Sequence, residues 1–202
     1  MGRIAVVDYG AGNLLSVTKA LDYLGLSSCI TSDAGELLRA DGVILPGVGA
    51  FPDAMAQLEK SGLVPALRQS AAEKPLLGIC LGMQMLFDRS SEVRPCEGLG
   101  LIPGAVDRIK TPLKLPQIGW NSLTLCGENP LFSGVSSGEY VYFVHSYMAF
   151  CENASDVAAE CDYGGPVTAA VARGNVFGCQ FHPEKSGETG LRILKNFGEL
   201  SR

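Results

Sequence analysis

Short apolar runs alternate with stretches of helical periodicity through the first half of this 202-residue chain. The runs are rich in valine, isoleucine and leucine and only a few residues long, as is typical of strands buried on both faces of a parallel sheet. They occupy residues 3–7, 43–45 and 76–79. Residues 14–24 and 53–68 carry apolar side chains at helical spacing, with Pro65 marking a break or a new start. This alternation predicts an α/β fold with a doubly wound, mostly parallel sheet.

The second half of the chain has a different pattern. Beyond about residue 98, short strands are separated by turns that contain glycine and proline, including runs at 141–144 and 175–181. These features predict a mixed or antiparallel extension of the sheet, and a helix at about residues 189–200 closes the chain. There is no internal repeat, low-complexity segment or interdomain linker, so we expect residues 1–202 to form a single domain.

Composition and charge exclude several classes of protein. Hydrophobic residues make up 47% and charged residues 18%, as in globular proteins, and the net charge is -5. No cluster of lysine and arginine is present to bind a nucleic acid. The N-terminal apolar run ends at Asp8, which makes it too short for a signal peptide or a membrane span. We therefore expect a soluble, cytoplasmic protein that binds neither nucleic acid nor membranes.

The seven cysteines are irregularly spaced, no C-x-x-C pair occurs, and the chain has only two histidines. Neither a secreted disulfide scaffold nor a structural zinc site fits this pattern. We expect most of the cysteines to be reduced core residues. We also expect no metal and no other cofactor.

One cysteine has a context that distinguishes it from the others. Cys80 lies in Gly78-Ile79-Cys80-Leu81-Gly82, after a buried run and before a short helix expected at residues 83–87. This G-x-C-x-G is the cysteine version of a nucleophile elbow, a tight turn whose glycines let neighbouring segments approach. A helix N-terminus favours thiolate over thiol, so Cys80 is the candidate nucleophile. A buried cysteine in a glycine-rich turn is the alternative.

The candidate base lies in the segment Phe181-His182-Pro183-Glu184. If this segment is extended, His182 and Glu184 point to the same side, as a base and the carboxylate that orients it must. A surface turn at a strand end is the alternative. No carboxylate follows His145 two positions on, so we interpret His145 as a pocket-lining or packing residue. The predicted catalytic triad is therefore Cys80, His182 and Glu184.

A second loop, Pro46-Gly47-Val48-Gly49, follows the buried run at 43–45. Acyl transfer needs two N–H donors that face the developing oxyanion. In an elbow enzyme one donor belongs to the residue after the nucleophile, here Leu81, and the other to a neighbouring strand-end loop. The predicted oxyanion hole consists of Leu81, Val48, Gly47 and Gly49, although many P-G-x-G segments are ordinary turns.

Together these segments resemble a known family. Cys80 in GICLGMQ, His182 and Glu184 in FHPEKS, and the loop in PGVGAF are similar to motifs of the class I glutamine amidotransferases. Their fold is the α/β fold predicted above. The resemblance runs from about residue 3 to residue 198, with no departure at the catalytic positions.

Three further segments narrow this resemblance. They are DYGAGN at 8–13, PQIGWN at 116–121 and YFVHSY at 142–147. They are similar to segments of the glutaminase subunits of imidazole glycerol phosphate synthase, an enzyme of histidine biosynthesis.

The resemblance implies a reaction and a partner. Glutamine would be hydrolysed through a Cys80 thioester to glutamate and ammonia, and the ammonia would pass through a tunnel to a (β/α)8-barrel cyclase subunit in a heterodimer. There it would react with a phosphoribulosyl-formimino aminoimidazole carboxamide ribonucleotide to give imidazole glycerol phosphate. Free ammonia is mostly ammonium at neutral pH and would diffuse away, and this chain has no room for a synthase domain. The acceptor site is therefore expected on another chain.

The resemblance also implies which residues bind glutamine. Gln84 and Glu92 would bind its polar ends, and the backbone around Ser146 and Tyr147 would help to bind its carboxylate. The alternatives are that Gln84 is only a polar residue of a helix and that Glu92 is only a solvated charge.

Three more residues would lie near the partner interface by the same resemblance. They are Asn13, Trp120 and Lys185. The alternatives are that Lys185 is a solvated charge and that Trp120 packs in the core.

Other functions remain open from the sequence. A different elbow-cysteine hydrolase, such as a peptidase or a deglycase-like protein, would share the elbow but usually lacks an H-x-E on the final strand. In a regulatory or small-molecule-binding module, Cys80 would not react selectively with a glutamine-like electrophile. Amidotransferase subunits for pyridoxal phosphate, anthranilate or guanine nucleotide synthesis are the nearest rivals, and DYGAGN and PGVGAF disfavour them.

Overall fold

The computed structural model describes residues 2–202. These residues contain six helices: α1 (Leu14–Tyr23), α2 (Ala34–Arg39), α3 (Phe51–Ser61), α4 (Val64–Glu73), α5 (Leu81–Gln84) and α6 (Gly187–Leu200). The same residues contain fourteen strands: β1 (Ile4–Val7), β2 (Ser28–Thr31), β3 (Gly42–Gly47), β4 (Leu76–Cys80), β5 (Phe87–Ser90), β6 (Cys96–Glu97), β7 (Ile102–Arg108), β8 (Gln117–Ser122), β9 (Thr124–Leu125), β10 (Tyr140–His145), β11 (Tyr147–Cys151), β12 (Val157–Asp162), β13 (Pro166–Arg173) and β14 (Val176–Cys179). None of the six helices in residues 2–202 combines the length and the hydropathy of a membrane-spanning segment.

Eight strands form the main sheet, in the order β2-β1-β3-β4-β14-β13-β12-β9. Neighbours among the first five pair in parallel, and the last three strands continue the sheet antiparallel. Along β1, Ile4 and Val6 belong to one buried cluster, whereas Ala5 and Val7 belong to another. Both faces of the sheet are therefore covered, which explains why its strands read as continuous apolar runs. The predicted doubly wound, mostly parallel sheet with an antiparallel extension is confirmed.

Helices cover the two faces of the main sheet separately. Apolar side chains of α1 and α6 pack in one cluster, and those of α2, α3 and α4 pack in the other. The predicted break near Pro65 is confirmed, because α3 ends before Gly62 and Pro65 lies in the first turn of α4. Gly62 has a φ of 73°, a backbone conformation that favours glycine and ends a helix.

The bounds predicted for the helix after Cys80, residues 83–87, are wrong. α5 has only four residues, and Phe87 is instead the first residue of β5. The carbonyl of Leu86 accepts hydrogen bonds from the N–H groups of Leu101, at 2.8 Å, and Ile102, at 3.1 Å. This pairing draws the chain out of the helix and into a second sheet, of order β11-β7-β5-β6. Sequence periodicity could not reveal it because the partner strand lies further along the chain.

Two elements between α1 and β3 were not predicted. They are the strand β2 at the edge of the main sheet and the helix α2 that follows it. The Asp33 side chain accepts a hydrogen bond of 2.7 Å from the Glu36 N–H, so Asp33 caps α2.

β4 lies between β3 and β14 and pairs in parallel with both. Where β3 pairs with β4, Gly47 lies opposite Cys80, and where β14 pairs with β4, Cys179 lies opposite Ile79. Three strands therefore end at the same edge of the sheet, where open α/β sheets bind their ligands.

We expect Gly82→Ala to lower the free energy of unfolding by about 3 kcal/mol, the upper part of the usual range for overpacking. A Cβ at Gly82 would collide with the carbonyl oxygen of Leu45, a backbone atom that cannot rotate away. Urea denaturation measures the change. The exposed Gln69→Ala on α4 is the control and should change stability by less than about 0.5 kcal/mol. Equal stability of Gly82→Ala and the wild type would contradict the close approach of α5 to β3.

Candidate active site

Cys80 is the last residue of β4 and has φ 54° and ψ -112°. A non-glycine residue in this region carries backbone strain of about 1–3 kcal/mol, which the surrounding structure must support. Gly78 and Gly82 provide that support, because a Cβ at Gly78 would lie 2.6 Å from the Gly82 carbonyl oxygen. The tight strand-to-helix turn predicted from G-x-C-x-G is therefore present at Cys80.

The helix after Cys80 is shorter than expected. α5 makes a single turn, so its macrodipole is small, and its contribution at the sulfur is limited to the free N–H groups of that turn. Leu81 is the first residue of α5, and its N–H is one of those groups.

His182 and Glu184 follow β14 and lie in contact. His182 Nδ1 is 2.9 Å from Glu184 Oε1, and the Glu184 side chain is fully buried. The segment is not extended throughout, because His182 is extended but Pro183–Lys185 forms a 3-10 turn. This turn, rather than strand alternation, brings the carboxylate to the imidazole.

The position of His182 makes it strongly basic. Burial favours the neutral imidazole, but hydrogen bonds with the side chains of Cys80 and Glu184 outweigh that effect and raise the pKa of His182 to about 9. Glu184 fixes the proton on Nδ1, so Nε2 is the nitrogen left to face the sulfur. This arrangement can move a proton between sulfur and a bound substrate.

A cavity of about 350 Å³ opens over Cys80. Its lining includes nine of the residues predicted for the site: Cys80, His182, Leu81, Val48, Gly49, Gln84, Glu92, Ser146 and Tyr147. Gly47 does not line this cavity. Together with Asn13, Val48, His182 and Glu184 it lines a crevice behind the site, which a water molecule does not fit. The structure thus brings Cys80, His182, part of the loop and the predicted substrate-binding residues together around one space, with Glu184 and Gly47 at the adjoining crevice.

The loop at residues 46–49 is closely packed at Gly47 and unpacked at Gly49. A Cβ at Gly47 would lie 2.6 Å from the Gly82 nitrogen, so this glycine allows β3 to approach the elbow. Gly49 has a φ of 97° and no atom within 4 Å of where a Cβ would stand. Conformational freedom therefore resides at Gly49, whereas Gly47 serves close packing.

Tyr9 holds the beginning of this loop. Its hydroxyl donates to the Pro46 carbonyl at 3.1 Å, beneath the cavity. Burial raises the pKa of Tyr9 far above its usual range, and the charge of Cys80 adds to the shift, so the hydroxyl keeps its proton. Sequence reasoning missed this role because Tyr9 and Pro46 are distant in the chain.

Gln84 and Glu92 lie at the cavity with their positions set by other residues. Both N–H groups of the Gln84 amide are used, one by the Tyr147 carbonyl at 3.0 Å and one by Gln180 Oε1 at 2.9 Å. Its Oε1 is therefore the atom available to a ligand. Glu92 Oε2 accepts from the Phe51 N–H at 2.8 Å, at the start of α3.

The backbone around Glu92 is strained. Val93 has a φ of 61°, and the Arg94 N–H donates to the Glu92 carbonyl at 2.6 Å, which closes a tight three-residue turn. Burial raises the pKa of Glu92, the Phe51 N–H opposes the shift, and Asp53 adds to it.

His145 lines the cavity, as predicted, but its ring is engaged within the protein. Nδ1 lies 2.8 Å from the Tyr147 carbonyl and Nε2 lies 3.0 Å from the Gln117 side chain. Burial lowers the pKa of His145 to about 4, the Tyr147 carbonyl opposes the shift, and His182 adds to it. A neutral imidazole with both nitrogens occupied is poorly suited to act as a base.

The three residues predicted for a partner interface lie outside the cavity. Asn13 borders the crevice that Glu184 also lines, and the exposed Lys185 follows Glu184 in the chain. Trp120 is 55% exposed and contacts Tyr142 edge to face, so the alternative that it packs in the core is wrong.

Sequence reasoning missed one polar residue inside the site. Gln180 is completely buried, and its side chain lies between Gln84 and Cys80. Its position two residues before His182 was the signal, because alternate residues at a strand end face the same side. Among residues 2–202, no group of three His, Cys, Asp or Glu side chains is arranged to bind a metal ion.

Comparisons with known proteins agree on one family. The model of the family "Glutamine amidotransferase class-I" matches residues 5–199. The imidazole glycerol phosphate synthase subunit HisH of Bacillus mycoides is 54% identical over 195 residues, which cover 96% of this chain and 93% of the relative. The corresponding subunit of a Bacillus cereus strain is 55% identical with the same coverage.

Solved structures share the fold at lower identity. A glutamine amidotransferase crystal structure superposes with a TM-score of 0.77 at 20% identity, covering 98% of both chains. PurLQS from Thermotoga maritima superposes with a TM-score of 0.76 at 22% identity, again covering 98% of both chains.

Because the chain has two histidines, a nuclear magnetic resonance titration can follow each imidazole separately. We expect His182 to titrate at about 9 and His145 at about 4. The folded pKa of His182 exceeds its ordinary 6.5, so its stabilising contribution is complete below about 6.5 and is lost as the pH rises through about 9.

In Glu184→Gln and in Cys80→Ala the pKa of His182 should fall, because each variant removes a hydrogen bond that raises it. The His145 signal is the internal control in both variants. A wild-type His182 that titrates near 6.5 would contradict this electrostatic description.

Proposed function

The chain belongs to the class-I glutamine amidotransferase family and, within it, to the HisH subunits of imidazole glycerol phosphate synthase, and from this premise we propose how its site works. The protein hydrolyses glutamine to glutamate and ammonia for histidine biosynthesis. The observation that carries the mechanism is that a strained Cys80 and His182 border one cavity, with Glu184 in contact with His182. The family match over residues 5–199 supports a single amidotransferase domain.

The first half of the reaction forms a thioester. The Cys80 proton passes to Nε2 of His182, which its pKa of about 9 keeps protonated at neutral pH, and the resulting thiolate attacks the side-chain carboxamide carbon of glutamine. The C–N bond then breaks, and His182 gives that proton to the departing nitrogen, which leaves as ammonia. Glu184 stabilises the imidazolium between these two transfers.

The second half releases glutamate. Water attacks the thioester carbon while His182 accepts a proton from it, and the sulfur leaves as a thiolate beside the protonated His182. Cys80 and His182 are thereby restored. The negative oxygen that forms in both halves needs N–H donors, for which we propose Leu81 and the backbone of Val48 and Gly49, with Gly47 permitting the close approach.

We place the glutamine backbone at the outer part of the cavity. Gln84 Oε1 is free to accept from its ammonium group, and the Glu92 carboxylate, partly buried at the cavity wall, can pair with the same charge. The Ser146 and Tyr147 segment borders the same space and would bind the α-carboxylate through its backbone.

An exposed apolar face next to the cavity supports a partner subunit. β8 and β10 pair antiparallel, with Trp120 opposite Tyr142 and Ile118 opposite Val144. We call the outward-facing set the ribbon face: Ile118, Trp120, Tyr140, Tyr142 and Val144. Ile118, Trp120 and Tyr140 are each more than half exposed, and Val144 also lines the cavity. Contiguous apolar surface of this kind marks interaction sites.

We propose that the occupant of the ribbon face is a (β/α)8-barrel cyclase subunit, which together with this chain forms a heterodimer. Asn13 and Lys185 lie on the same side as the triad and would extend the interface. Contact beside the cavity would let ammonia reach the acceptor without entering bulk solvent. We also propose a cytoplasmic location, as fits a biosynthetic enzyme with all seven cysteines free.

We expect Cys80→Ala to abolish glutamine hydrolysis while the assembled enzyme still forms product from added ammonium salts. The reason is that Cys80 serves only the half-reaction that releases ammonia. Product formation with glutamine and with ammonium, each measured for the wild type and the variant, checks this. Loss of both activities in a folded, assembled variant would count against the separation of the two reactions.

The isolated chain is expected to be a poor glutaminase that the partner and its acceptor ligand activate through the loop at 46–49. If a peptide of this loop turns its carbonyl toward the sulfur at rest, one oxyanion donor is missing. Restoring one donor is worth about 10²–10³ in rate. Glutaminase rates of the chain alone, with partner, and with partner plus ligand measure the effect. Full activity of the isolated wild type would refute the idea.

Gly49→Ala tests the role of the loop, because a Cβ at Gly49 meets no atom and acts only on the backbone. We expect the variant to assemble but to lose most of the activation. Gly138→Ala is the matched control, since Gly138 has the same φ of 97° and the same open surroundings. Normal activation of Gly49→Ala, or equal loss in Gly138→Ala, would show that the loop is not the switch.

A further inference from the structure

Gln180 is a fully buried polar side chain to which the reaction described above gives no task. Its backbone N–H donates to the Ala169 carbonyl at 2.8 Å, which continues the pairing of β14 with β13. Because Cys179 pairs with Ile79, the next residue on each strand brings Gln180 beside Cys80. The Gln180 amide nitrogen Nε2 lies 3.9 Å from the Cys80 sulfur.

The orientation of this amide is fixed by a chain of hydrogen bonds that starts at a backbone carbonyl. The Tyr147 carbonyl can only accept, so the Gln84 atom 3.0 Å away must be its amide nitrogen. That nitrogen also lies 2.9 Å from Gln180, and it can donate only to the Gln180 oxygen. The nitrogen of Gln180 is therefore the end that faces the sulfur.

The surroundings of the sulfur indicate what the Gln180 N–H can do there. The Cys80 S–H is directed at the Val144 carbonyl, 4.0 Å from the sulfur, and interaction with Cys80 raises the pKa of His182. A carbonyl can hold a thiol through its S–H, but it repels a thiolate. Once the proton has moved to His182, Gln180 is the neighbouring side chain that can donate to the negative sulfur without giving up a proton.

We propose that Gln180 is an auxiliary hydrogen-bond donor to the Cys80 thiolate, held in place by Gln84 and the Tyr147 carbonyl. This inference deepens the proposed function and rests on it for its role in turnover. The donor stabilises the sulfur when it attacks glutamine and again when it leaves the thioester. No proton moves along the chain, since each amide keeps its N–H. The chain also links the sulfur to the segment at Ser146 and Tyr147, where the glutamine carboxylate is placed.

Gln180→Met tests the proposal because methionine keeps much of the volume and loses both amide groups. The measurement is the pH dependence of Cys80 alkylation by iodoacetamide in the isolated chain, followed by mass spectrometry of the Cys80 peptide. We expect the midpoint of the alkylation profile to rise by about one pH unit. The weaker hydrogen bonds to charged groups stabilise the charged form by an amount that corresponds to about one pKa unit. In the assembled enzyme, kcat with glutamine should fall about tenfold with KM little changed, because the donor acts on the sulfur. Gln180→Leu is a second apolar variant if Gln180→Met does not fold.

Two further variants separate a directed donor from a merely structural glutamine. Gln84→Met should give a smaller rise of the midpoint, and the double variant Gln84→Met with Gln180→Met should rise no further than Gln180→Met alone. Gln117→Met is the matched control, because Gln117 is another buried glutamine near the cavity that does not contact Cys80. Its midpoint should equal that of the wild type.

An unchanged midpoint in folded Gln180→Met or Gln180→Leu would overturn the proposal. Additive shifts in the double variant would overturn the chain through Gln84, and an equal shift in Gln117→Met would show a general effect of losing a buried amide. Alkylation needs no glutamine, so this test is separate from the proposed function. A wild type without glutaminase activity would refute that function, whereas an active wild type with no midpoint shift in the variants would refute this inference alone.

Discussion

The register of β4 with its two neighbours is the constraint on which the site depends. Pairing of Gly47 with Cys80 on one side and of Cys179 with Ile79 on the other brings three strand ends to one level. This level brings together the nucleophile, the loop at 46–49 and the segment from Gln180 to Glu184. The contacts among them therefore do not depend on long side chains. A shift of one residue between β14 and β4 would turn Gln180 and His182 away from Cys80, because alternate residues face opposite sides. The strain at Cys80 is tolerated because both neighbouring strands hold the turn in place.

The sequence was sufficient for the parts of the molecule whose signals are local. Buried runs predicted the parallel strands β1, β3 and β4, Pro65 predicted the break between α3 and α4, and G-x-C-x-G predicted the turn at Cys80. The length of α5 was not predictable, because it is set by pairing of Leu86 and Phe87 with a strand about fifteen residues further along. The roles of Tyr9 and Gln180 were missed for the same reason, since each acts through a contact between distant segments.

Two histidines border the same cavity and are driven in opposite directions by their neighbours. His182 has a carboxylate on one side and a sulfur on the other, and these raise its pKa to about 9 against the effect of burial. His145 hydrogen-bonds only neutral groups, so burial dominates and, with a contribution from His182, lowers its pKa to about 4. Neither result follows from the residue type or from burial alone. The carboxylate two positions after His182 was the sequence feature that distinguished the two, although a 3-10 turn rather than an extended strand brings it into contact.

A backbone hydrogen bond joins β10, which carries part of the ribbon face, directly to His182, the proposed base. The His182 N–H donates to the Tyr142 carbonyl at 3.0 Å, and the Ser186 hydroxyl accepts from the Tyr142 N–H and donates to the His182 carbonyl. β10 thus holds the His182 segment through its main chain while its side chains alternate, with Phe143 and His145 directed inward and Tyr142 and Val144 on the ribbon face. A partner that packs on Tyr142 and Trp120 would therefore restrain the same peptide that positions His182. This arrangement gives a direct physical route by which assembly can order the site, and it needs no movement of the main sheet.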